Sequence, residues 1–462
     1  MNFGTAARRR LAHISVAAST CATTLFLFSC THTPAVSSTP DNAPQASTVP
    51  APSAEIWPTA GWSSSTPEAQ GIDSTILAAT LEQIRARHIP IHSLLIERHG
   101  RIVLDTYFYP FADNRTHNVY SVTKSVTAML VGIAMAEHRL DDLNAPVYPM
   151  LAMATSDDPR KERITLANLL SMTSGLDCRG DGNSSLLQEM LRSRHLAAYM
   201  LGRPTENDPG TVFDYCGGNS EVVSAVLTKT TGGSALDYAR SELFTPLGIT
   251  KVSWPTDTDR VSHGWGDLEL QPRDMAKLGY LWLHNGRWEN KQIIPEGYLA
   301  QALTSHIAVQ PGINYGYGMW LYPGHTPVDF EANGTGGQRI TVIPSLDMVE
   351  VMTGGGFDAN DVQNLIAAAP KSNSELPPNP AANARLASLE AELSRLPAAH
   401  AMPVVEASSE IPVPKPKPVT TLRSAVAVAR AAPSAFAPPA GLSVIPVPKP
   451  RPVSLKLSSV EP

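Results

Sequence analysis

Apolar residues along 93–97 and 102–107 are dense and strand-like, and His99-Gly100 separates the two runs, which predicts a β-hairpin. A second hairpin is predicted from Arg339–Ile343 and Met348–Met352, turning at Pro344-Ser345. Between the hairpins, apolar positions recur with helical spacing near 121–138, 164–171, 186–200, 219–243 and 272–285. Strands at both ends of a region with helices between them predict an α+β fold. Its antiparallel sheet is closed by the two ends of the region, flanked by helices, and carries an inserted helical lobe.

The ends of the chain break this pattern. Arg8, Arg9 and Arg10 precede a Ser/Thr-diluted apolar stretch from Leu11 to Phe28, and Leu27-Phe28-Ser29-Cys30 resembles a bacterial lipobox. Residues 1–30 therefore read as an export signal, with Cys30 as the lipidation candidate and a simple cleaved signal as the alternative. A lipid on Cys30 attaches the protein to a membrane by acyl-chain burial and places it in the bacterial cell envelope, periplasmic or membrane-anchored. Residues 31–58 are rich in Pro, Ser and Thr and read as a tether. Residues 371–462 read as an Ala/Pro-rich low-complexity tail in which IPVPKPKPV at 411–419 recurs as IPVPKPRPV at 445–453. A short amphipathic pattern at 381–396 predicts an isolated helix there. The tail is either a basic spacer or a docking segment for a partner protein or a cell-wall polymer.

Composition agrees with this division. Of the 40 Pro, 23 lie in residues 1–58 and 371–462, about a third of the chain, which leaves 59–370 as the folded domain. The formal charge of −6 divides into +1 over 1–58, −11 over 59–370 and +4 over 371–462. An acidic domain lacks the electrostatic footprint of a nucleic-acid binder, so that class of partner is excluded. Of the 4 Cys, Cys178 and Cys216 remain once Cys21 leaves with the signal and Cys30 carries lipid; they are either a disulfide in an oxidising compartment or two free thiols. The 13 His show no metal-ligand spacing, so neither a metal nor a cofactor is expected.

One short motif carries chemistry. Tyr120-Ser121-Val122-Thr123-Lys124-Ser125 opens a helical run, and a spacing of three puts Ser121 and Lys124 on one face. The Ser121 hydroxyl is the candidate nucleophile and the Lys124 amine the candidate base. To act as a base near neutrality the amine must lower its pKa from about 10.4 to about 7, on the order of 4 kcal/mol, which requires burial or a cationic neighbour.

Further landmarks follow in order: LLSMTSGLD at 169–177, FDYCGGNS at 213–220, TPLGIT at 245–250, the run GWGDLELQPRDMAKLGYLWLHNGRW at 264–288, and GTGGQRITVIP at 334–344. With SVTKS at 121–125, the chain resembles the serine β-lactamase-like hydrolases. That superfamily includes class C β-lactamases, low-molecular-weight penicillin-binding proteins, some esterases and 6-aminohexanoate-dimer hydrolase. The resemblance implies a β-lactamase/transpeptidase-like fold and makes Tyr215 the second-motif tyrosine that shares acid-base work with the lysine. It also places Asn219 near the position of a motif asparagine, where Gly217 stands instead. The strand that carries Lys-Thr-Gly in β-lactamases reads Asn333-Gly334-Thr335-Gly336-Gly337-Gln338 here, with no cation to receive a substrate carboxylate. An amide N–H near Gly337 or Gln338 is expected to join that of Ser121 in an oxyanion hole. Trp265, Tyr315 and Tyr317 are candidates for lining the acyl pocket.

These observations lead to an exported serine hydrolase that cleaves a small-molecule amide or ester through an acyl-Ser121 intermediate. Two alternatives stand beside it: a β-lactamase or D-Ala-D-Ala carboxypeptidase-like cell-wall enzyme, and a non-catalytic lipid-tethered binding or scaffold protein.

Overall fold

The computed structural model describes residues 56–153, 156–178 and 185–395. The predicted export signal with Cys30, almost all of the tether, and the repeated proline motif of the tail lie outside the described residues. Among the described residues no helix is long and apolar enough to cross a membrane.

A nine-stranded sheet organises the molecule. Its strands are β1 (Ser63–Ser64), β2 (Ile91–Arg98), β3 (Arg101–Tyr107), β4 (Ile307–Gln310), β5 (Ile313–Tyr315), β6 (Trp320–Tyr322), β7 (Asp329–Gly334), β8 (Gln338–Ile343) and β9 (Met348–Gly354). They lie in the order β1-β3-β2-β9-β8-β7-β6-β5-β4. All pairings are antiparallel except that of β1 with β3. Both expected hairpins are present, and β2 pairs with β9 from Ile91↔Gly354 to Arg98↔Met348, so the early and late strands close the sheet.

Helices cover both faces, which is why the central strands read as nearly continuous apolar runs. On one face α1 (Ser74–Ala86), α5 (Ala359–Ile366) and α6 (Pro380–Leu393) pack on Leu94, Ile96, Val103, Met348 and Met352. On the other, α2 (Val122–Ala136), α3 (Gly217–Thr231) and α4 (Pro272–Leu283) share a core with Leu95, Ile340, Val342, Val349 and Val351. Short helices at Leu166–Leu170, Ser185–Arg192 and Leu196–Gly202 build the lobe around α2 and α3. The single helix expected over 219–243 ends at Thr231, because Gly232 takes the left-handed conformation (φ 81°) that terminates a helix. Lys229, Thr230 and Thr231, which spell a Lys-Thr-Thr-Gly sequence with Gly232, are the last turn of α3.

The tail begins later than its composition predicts. Leu386, Leu389 and Leu393 of α6 are buried against α1 and β2–β3. Tyr109 donates its N–H to the Leu393 carbonyl at 3.0 Å, and the Glu390 carboxylate accepts from Thr106 at 3.2 Å. The helix expected to be isolated is therefore docked, and the packed chain continues to residue 395 rather than ending at 370. Each buried leucine contributes about 2 kcal/mol, more than an exposed helix of this length gains from its own hydrogen bonds.

Candidate active site

The turn into α2 presents the nucleophile candidate. Asn118 accepts the Tyr120 N–H on its side-chain oxygen at 2.8 Å, and Tyr120 takes a positive φ of 47°. That conformation is costly for a residue with a side chain, and it turns the backbone so that Ser121 becomes the residue capping α2. Residues 122–134 are buried on all sides, so α2 runs through the core and carries Lys124 inside with it. Ser121 is 7% exposed and Lys124 3%.

Lys124 Nζ donates to Ser121 Oγ at 2.8 Å and to the Trp265 carbonyl at 2.8 Å. The Tyr215 ring comes from ninety residues further along the chain, and its centroid is 5.0 Å from the same nitrogen. It stacks on Trp320 at 5.5 Å and meets Tyr315 edge-on at 6.1 Å, with Phe213 5.5 Å from Tyr315. These contacts fix the ring plane. The phenol of Tyr315 stays protonated, because burial and then Tyr215 push its pKa well up.

The backbone around Tyr215 is held from behind. Cys178 and Cys216 form a disulfide with Cα atoms 5.6 Å apart. Cys216 caps α3, and its N–H approaches the Met172 sulfur at 3.5 Å. Asp214 donates its N–H to the Met172 carbonyl at 2.9 Å. The LLSMTSGLD landmark thus forms a brace under the residue that precedes the disulfide.

Glycine decides the approach of the sheet. A Cβ on Gly334 would fall 2.3 Å from the Val119 carbonyl oxygen and 3.2 Å from the Ser121 nitrogen, so only glycine lets the end of β7 reach the start of α2. From Glu331 through Thr335 the strand end carries no cation. Arg339 on β8 is turned to Asn360 and Gln363 of α5, both at 2.7 Å.

The structure brings Ser121, Lys124 and Tyr215 together and places the remaining predicted residues less uniformly. Trp265 meets Lys124 through its carbonyl, while its indole stacks on His263 at 5.4 Å. Asn219 is fully buried, and its amide nitrogen approaches the Met172 sulfur at 3.8 Å. The Gln338 side chain is used within the sheet, donating to Gly354 O at 2.7 Å and accepting from Gly354 N at 3.0 Å. A Cβ on Gly337 would strike the Phe357 ring at 2.3 Å, so packing explains that glycine. The member of the glycine stretch that abuts Ser121 is Gly334. Tyr315 and Tyr317 are core residues, 1% and 4% exposed, Tyr317 stacking on His306. Phe213 opens the FDYCGGNS landmark, which does not single it out as a site neighbour, and Trp320 lies outside every landmark. Among the described residues no three His, Cys, Asp or Glu side chains are grouped to hold a metal ion.

A buried serine–lysine pair thus lies beside a sheet end, with a tyrosine ring over the amine. Residues 77–369 match the family model described as Beta-lactamase, and the chain belongs to that family. It is similar to Protein flp of Staphylococcus aureus (strain MRSA252), 26% identical over 195 residues, which are 40% of this chain and 38% of that protein. It is also similar to the 6-aminohexanoate-dimer hydrolase of Paenarthrobacter ureafaciens, 24% identical over 229 residues, 46% of this chain and 57% of the relative. The chain thus spans about two-fifths to just over half of the length of these relatives. In fold it is similar to an octameric penicillin-binding protein homologue from Pyrococcus abyssi, with a TM-score of 0.54 at 19% identity, over 65% of this chain and 78% of that one.

Proposed function

We propose that this protein is an exported hydrolase that cleaves an amide or ester bond through an acyl-Ser121 intermediate. The observation that carries the reading is the 2.8 Å contact between Lys124 Nζ and Ser121 Oγ, both buried. In this reading Lys124 acts as the neutral amine that takes the hydroxyl proton. Ser121 Oγ attacks the carbonyl carbon as its proton passes to Lys124 Nζ. The oxyanion accepts hydrogen bonds from the Ser121 N–H and from an N–H of the adjoining turn that begins at Gly334. Collapse of the tetrahedral adduct breaks the bond to the leaving amine or alcohol, which receives a proton from the Lys124–Tyr215 pair. Water then attacks the Ser121 ester, the same pair takes its proton, and the acid product leaves with Ser121 restored.

The strand end beside Ser121 lacks a cation, which supports substrates without a carboxylate at that position, and the Tyr215–Trp320–Phe213 wall supports an apolar or planar group. The test is covalent labelling. A fluorophosphonate is expected to add its mass to Ser121 of the folded protein and not to the Ser121→Ala variant, while a fluorescent penicillin labels neither. An unmodified Ser121 in folded protein rejects the acyl-enzyme reading, and labelling by penicillin moves the substrate class to β-lactams and cell-wall peptides.

The Cys178–Cys216 disulfide supports an oxidising compartment, in keeping with export and with a lipid on Cys30. In cells fed a palmitate analogue, the protein is expected to incorporate the label and Cys30→Ser to lose it. Equal labelling of the two rejects lipidation at that residue.

A further inference from the structure

Glu221 lies six residues beyond Tyr215, in the second turn of α3, and is 0% exposed. Its Oε2 accepts the Gly264 N–H at 2.8 Å, and its Oε1 has no hydrogen-bond partner among the described residues. Burial holds the carboxyl well above the usual carboxylate range; the Gly264 N–H opposes this, and the charges of Asp257 and Asp267 add to it.

Gly264 opens the Gly264-Trp265-Gly266 segment, whose middle carbonyl is the acceptor for Lys124 Nζ at 2.8 Å. The segment lies directly on α3: a Cβ on Gly264 would fall 2.0 Å from the Ser220 carbonyl oxygen. Thr127 of α2 donates to the Gly264 carbonyl at 3.3 Å, and Ser224 of α3 donates to the Ser262 carbonyl at 2.6 Å. A glycine on either side of Trp265 leaves these peptides free to rotate unless something holds them. Glu221 holds the His263–Gly264 peptide through its N–H, and Thr127 holds the next peptide through the Gly264 carbonyl.

We propose that Glu221 is a positioning residue: by accepting the Gly264 N–H it fixes the His263–Gly264 peptide, where the segment carrying the Trp265 carbonyl begins, and so aims the Lys124 amine at Ser121. The inference rests on the acyl-Ser121 reading. Glutamine presents the same acceptor at the same length. Leucine fills a similar space without one and leaves the buried Gly264 N–H unpaired, a loss that lowers the unfolding midpoint and is read there.

The experiment compares the parent protein with Glu221→Gln, Glu221→Leu and Glu221→Ala in the acylation burst with a p-nitrophenyl ester, recording the thermal unfolding midpoint of each. Leu and Ala are expected to acylate at least about tenfold more slowly with KM within about threefold, and Gln to rescue the rate to within about threefold of the parent. A folded Leu or Ala variant as fast as the parent, or a Gln variant as slow as Leu, overturns the proposal. So does failure of both Leu and Ala to fold, which makes the residue a determinant of folding alone. A parent without Ser121-dependent acylation overturns the acyl-Ser121 reading and this inference together; a reactive parent with indifferent Glu221 variants overturns only this one.

Discussion

Ser121→Ala is expected to abolish covalent acylation, and Lys124→Met to slow it about a thousandfold, roughly 4 kcal/mol of transition-state stabilisation. Methionine preserves the length and buried volume of the lysine stem inside α2, so the helix stays in the core and the change falls on proton transfer. The Trp265 carbonyl loses its donor, which costs about 1–3 kcal/mol of stability and lowers the unfolding midpoint without unfolding the protein. The measurement is the burst rate with an activated ester, read together with the mass of the Ser121 peptide. A Lys124→Met burst within tenfold of the parent would assign the proton to another group and remove the lysine from the mechanism. Retained modification of the Ser121→Ala protein would do the same to the nucleophile.

Tyr215→Phe is expected to lower kcat by about a hundredfold or more while KM moves little. The ring contacts with Trp320 and Tyr315 survive the substitution, so the pocket wall and the fold remain and only the hydroxyl is lost. Steady-state kinetics on an ester with a poor leaving group gives the clearest reading, because such a substrate most needs a proton delivered to the departing oxygen. A rise in KM with kcat unchanged would reduce Tyr215 to a wall residue. The brace of Met172 and the Cys178–Cys216 disulfide behind it makes that outcome readable, since the backbone on which the ring is mounted is held independently of the hydroxyl.

The helix over 122–136 and both hairpins were legible because their signals are local: apolar periodicity, a turn dipeptide, and a spacing of three that sets Ser121 and Lys124 on one face. Tyr215 was legible only through its place in an ordered series of landmarks. Nothing in the spacing of Ser121 and Tyr215 says that their side chains meet, because the approach depends on how α3 packs across α2. The same limit explains the glycine stretch. Its presence marks a close backbone approach, but the register of β7 against β8, Gly334↔Gln338, decides that Gly334 faces Ser121 while Gln338 is drawn into the sheet.

Helix α6 shows where that boundary lies. The stripe of Leu386, Leu389 and Leu393 is written in the chain, so a helix there follows from local chemistry. Whether the stripe finds a partner depends on α1 and β3, some three hundred residues earlier, and a polar, proline-rich neighbourhood conceals that. The residue types fixed which groups are able to react and which segments curl or extend. Packing fixed which of those groups share one desolvated corner: the Trp265 carbonyl and the Gly334 backbone reach Lys124 and Ser121 only after distant segments have been pressed together, a many-body outcome that no short window of sequence encodes.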